Sequence, residues 1–119
     1  MQRLRNSILL AVLLLAMTGC GDELRGPKVI IANHSDSMLN NVTLSGTGFV
    51  TSIGRVGARS VESATLHPTG ESSLRVTFDV GGRKVDSGDC CYFENSPLYT
   101  VAVNVDRDFK VAVLVDLKR

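Results

Sequence analysis

Tryptophan is missing from this 119-residue chain, and the few rings present, Phe49, Phe78, Tyr92, Phe93, Tyr99 and Phe109, fall mostly within strand-like patterns. A platform for sugars or single-stranded nucleic acid needs exposed stacking rings. Core packing is therefore the expected work of these aromatics. Neither sign of charge prevails, with 13 Lys and Arg against 12 Asp and Glu, so the basic stripe that a nucleic-acid partner requires is not expected. The two histidines, His34 and His67, stand far apart and lack the spaced Cys or Glu companions of a zinc site. No metal or cofactor is expected. A helix crossing the hydrocarbon core needs about 20 consecutive apolar residues, and the longest apolar run here, Ile8 to Met17, falls well short of that. Internal repeats and low-complexity segments are absent, and one domain with one core is what this length supports.

What is present begins with Arg3 and Arg5, followed by that apolar run. Basic residues favour the cytoplasmic side of a membrane, and the short run completes the pattern of an export signal, helical while it is being inserted. Met17-Thr18-Gly19-Cys20 comes directly after it. The segment resembles the lipobox of bacterial lipoprotein precursors, with Met17 in place of the usual leucine. The resemblance implies that Cys20 takes a diacylglyceryl group on its sulfur, that signal peptidase II cuts between Gly19 and Cys20, and that the new amine is acylated, commonly with palmitate. Several acyl chains, at about 0.8 kcal/mol per buried CH₂, hold a protein far more firmly than one. Gly21 follows the cysteine. In the enterobacterial sorting rule an Asp there retains the protein at the inner membrane, so the resemblance implies the periplasmic face of the outer membrane. Without Arg3 and Arg5, eleven basic residues face twelve acidic ones, a balance of −1.

These signals divide the chain into a leader over 1–19, a polar tether over 20–27 ending in Gly26-Pro27, and a domain over 28–119. Sustained helical periodicity is absent from the domain. Leu74, Val76, Phe78 and Val80 alternate with polar residues, as do Tyr99, Val101, Val103 and Val105, which predicts strands with one buried face. Weaker alternation marks 28–33, 40–45, 49–53 and 59–66. The last strand, 109–117, is apolar on both faces, with Val111, Val113 and Val115 on one and Ala112 and Leu114 on the other. It is expected to be covered on both sides. Gly81-Gly82 reads as a two-residue hairpin turn, because type I′ geometry needs positive φ twice. Seven to nine strands punctuated by turns predict an all-β sandwich of immunoglobulin or fibronectin III type, connected as a meander or Greek key, with a small barrel as the alternative.

Cys90 and Cys91 are adjacent, and neighbours in a regular strand point to opposite faces. The leading expectation is one thiol in the core and one outside. A vicinal disulfide, which would break the strand, is the second reading, and a redox or intermolecular role is the third. Asn33-His34-Ser35-Asp36 is expected to bond local backbone rather than form a Ser-His-Asp triad. His67 reads as a turn residue. Asp106-Arg107-Asp108 reads as a solvated hairpin tip, since calcium sites gather many more oxygens. No catalytic set is expected. The function so indicated is a non-enzymatic, membrane-anchored module that binds or supports another envelope component by an exposed sheet edge, and the alternative is a small ligand-binding or enzymatic domain whose loops build a pocket.

Overall fold

The structure, a computed structural model, describes residues 26–118; the leader, the cleavage site at Gly19 and Cys20 and most of the tether lie outside the described residues. Nine strands follow one another: β1 Lys28–Asn33, β2 Leu39–Gly46, β3 Phe49–Val56, β4 Val61–Thr65, β5 Ser72–Val80, β6 Arg83–Asp86, β7 Cys90–Phe93, β8 Tyr99–Val105 and β9 Val111–Leu117. They form two open sheets, so the domain is an all-β sandwich and not a closed barrel. Sheet A has the order β4-β1-β8-β9, and sheet B the order β3-β2-β5-β6 with β7 also paired to β5. The β1–β8 pair is parallel, whereas the other pairings are antiparallel. A meander or Greek key has no parallel pair, so the connectivity departs from that expectation.

Alternation sets the core. Val29 and Ile31 of β1, Tyr99, Val101, Val103 and Val105 of β8, and Leu74, Val76, Phe78 and Val80 of β5 are all buried between the sheets. Gly81 and Gly82, both at positive φ (56° and 74°), turn β5 into β6 as the hairpin reading predicts.

Two of the weakly patterned strands, β2 and β3, are irregular for a local reason, whereas β1 and β4 pair in unbroken register. In β2, Leu39 and Val42 are three residues apart yet both fully buried. A period of two cannot deliver that; a register shift between them supplies it, centred on Asn41 at φ 51°, whose side chain bonds Asp79. Opposite the bulge, Gly54 at φ 86° pairs with Val42, and Val56 returns to the core. That irregularity carries β3 past Ile53, where the alternation ends.

Candidate interaction surface

The two sheets expose unlike outer faces. On sheet B the outward side chains form cross-strand rows that are polar except for Val50, which is 76% exposed beside Ser45 and Arg75. One contains Ser52, Thr43, Thr77 and Asp86, another Asn40, Asp79 and Lys84. Arg75 holds Asp86 through two hydrogen bonds, from Nε to Oδ1 and from the second guanidinium nitrogen to Oδ2. That bidentate pairing, helped by the Gly88 amide, lowers the Asp86 carboxyl to about 2. This is the ordinary solvated side of a half-buried sheet.

Sheet A differs. Its residues Val111, Val113 and Val115 of β9 pack against the core, which turns Ala112, Leu114 and Asp116 outward. Register then fixes three outward rows across β4, β1, β8 and β9. The first is Val61, Ala32, Asn104, Ala112; the second Ser63, Ile30, Ala102, Leu114; the third Thr65, Lys28, Thr100, Asp116. Only Lys28 and Asp116 are charged, and both sit in the third row. Leu114 is 68% exposed and Val61 59%. The expectation that β9 is covered on both sides is thus corrected: one side meets the core, and among the described residues nothing covers the other. Single exposed apolar residues are ordinary, but a charge-poor face with three large apolar side chains, Val61, Ile30 and Leu114, among Ala, Ser, Thr and Asn is an unusual outer surface for a sheet.

The cysteine pair lies beside this sheet. A disulfide joins Cys90 to Cys91, with Cys90 half-buried and Cys91 exposed. The core-thiol expectation is therefore replaced by the vicinal bridge. The strand breaks as that reading requires: Cys91 takes φ 73°, and the β5–β7 register shifts between Ser72–Phe93 and Leu74–Cys90. The Cys91 sulfur lies 4.0 Å from the Val113 carbonyl oxygen. A bridged sulfur carries no proton, so this is a packing contact of β7 on β9. Tyr92 is exposed, contrary to its expected core role, while Phe49, Phe78, Phe93 and Tyr99 are buried and Phe109 is half-buried beneath the Arg83 guanidinium.

Asn33 and its neighbours form a brace, not a triad. Buried Asn33 donates from Nδ2 to the carbonyls of Ser37, Val56 and Gly57 and accepts from the Ser35 amide and hydroxyl. His34, just after β1, meets Asn104 of the neighbouring strand β8 at 2.9 Å, and Asp36 pairs with Arg59. Ser35, His34 and Asp36 thus have separate partners. His67 is exposed just before Pro68. Asp106 accepts from the amides of Asp108 and Lys110, closing the β8–β9 turn with its own carboxylate. Among the described residues no group of three or more His, Cys, Asp or Glu converges as metal ligands, and no buried side-chain nitrogen or oxygen lacks a partner. No helix among them is long and apolar enough to cross a membrane.

No family model matches the chain, and no curated protein matches it. Among solved structures, an NMR structure of a protein from Eubacterium rectale is similar over 76% of this chain and 88% of that one, with a TM-score of 0.52 at 14% identity. At that identity the likeness is one of fold alone.

Proposed function

We propose that this protein is a lipid-anchored module of the bacterial cell envelope, held through Cys20 at the periplasmic face of the outer membrane. It binds another envelope component and catalyses no reaction. The anchor rests on the arginines, the short apolar run and the Met17-Thr18-Gly19-Cys20 segment. The binding role rests on one observation above the others, the exposed Leu114 and Val61 on the charge-poor outer face of sheet A. Burying one such side chain is worth about 1.5–3 kcal/mol, which gives a partner a reason to cover the face.

The anchor is tested by Cys20→Ala, which should leave an uncut precursor that takes up no lipid. Normal processing of that variant would refute it. The binding role is tested by crosslinking in the intact envelope with mass spectrometry of the products. Crosslinks concentrated on β4, β1, β8 and β9 support it, and yields no higher than those of a control lipoprotein refute it.

A further inference from the structure

Resting on that reading of an anchored binding module, we propose that the component covering the outer face of sheet A is a second copy of this chain, related by a two-fold axis parallel to the strands between β1 and β8. Such an axis exchanges β1 with β8 and β4 with β9 and keeps every cross-strand row. The rows are complementary under that exchange. Ile30 comes to lie over Ala102 of the second copy, Leu114 over Ser63 and Val61 over Ala112. Each large side chain meets a small one, which is what interdigitation of two packed sheets about 10 Å apart demands. The charges agree as well. Lys28 lies over Thr100 of the second copy, one strand from Asp116, so its long stem reaches that carboxylate, and the symmetry makes the pair twice.

The anchor geometry favours the same axis. Rotation about the strand direction leaves both Pro27–Lys28 ends on one side of the dimer, so two lipidated tethers enter one membrane. A lipid surface is a poorer occupant, because membrane-facing segments use aromatic and basic residues, and this face has no ring and one lysine. Four strands about 4.8 Å apart, with about 3.3 Å per residue, give a face of roughly 350 Å² per copy. The two copies together bury about 700 Å², below the roughly 1,200 Å² of stable interfaces. The dimer is therefore weak in free solution and forms where anchoring in one membrane raises the effective concentration.

The test is zero-length carbodiimide coupling of the full-length protein in intact envelopes, with two differently tagged copies coexpressed and lipidation checked on the N-terminal peptide. The expected product joins Lys28 of one tagged copy to Asp116 of the other. Leu114→Ser, which leaves both coupling groups in place, should lower its yield roughly tenfold, the equivalent of about 1.4 kcal/mol. Val50→Ser, an equally exposed apolar position on sheet B, should leave the yield unchanged. Coupling of Lys28 and Asp116 only to a different protein overturns the second copy as occupant and leaves the binding role standing. Dimer yield unaffected by Leu114→Ser overturns the face assignment. A lipidated protein whose Lys28 and Asp116 couple to no other chain overturns both.

Discussion

Asn33 does more structural work than its position after β1 suggests. Its amide is the shared partner of three carbonyls, two of them 23 and 24 residues away. Asn33→Ala should cost about 1–3 kcal/mol, since the buried Val56 carbonyl loses this donor and the buried Ser35 amide and hydroxyl lose their acceptor; the urea midpoint checks it. The local half of this network was legible, because Asn, Ser and Asp after a strand commonly bond nearby backbone. The distant half was not, as nothing in the sequence pairs Asn33 with Val56. Asp86 gives a pH signature. Its carboxyl is lowered from 3.8 to about 2 by Arg75, so the stability it contributes is fully present above about pH 4 and lost as pH falls toward 2. Asp86→Asn should flatten the pH dependence of the urea midpoint in that window, and an unchanged slope would contradict the pairing. The pair is exposed, so the effect is small.

Among the elements, β5 and β8 were readable because their alternation is unbroken, and the Gly81-Gly82 turn because only glycine accepts positive φ twice without cost. β2, β3 and β7 were read weakly or missed because each contains a residue at positive φ, Asn41, Gly54 or Cys91, that shifts the phase of the alternation. A bulge turns two strand halves to the same face, and sequence periodicity then cancels itself. The bulge in β7 carries the disulfide. A bridge between neighbours closes the shortest possible loop and removes little entropy from the unfolded chain, unlike the 2–4 kcal/mol typical of long loops. Cys90→Ser with Cys91→Ser should therefore change the unfolding free energy by less than about 1 kcal/mol. A loss of several kcal/mol would mean that β7 depends on the bridge for its seat between β5 and β9.

For the whole molecule, the decisive property is the difference between its two outer faces. The sequence showed that β9 is apolar on both sides, yet could not say that only Val111, Val113 and Val115 meet the core. Both stripes obey the same period of two, and which one is buried depends on where sheet B lies. The candidate surface was thus hidden in a strand whose composition was plain. Sheet A's face emerges only when register aligns Ser63, Ile30, Ala102 and Leu114 in one row. If that face is the working surface, it is covered in the native envelope while the outer face of sheet B stays wet. Carbene footprinting of the intact envelope measures this with an internal standard, because Leu114 and Val50 are similarly exposed in the isolated domain, at 68% and 76%. Leu114 should be labelled several-fold less than Val50 in the envelope and comparably after dilution in detergent; equal labelling of the two in the envelope would contradict a covered sheet A.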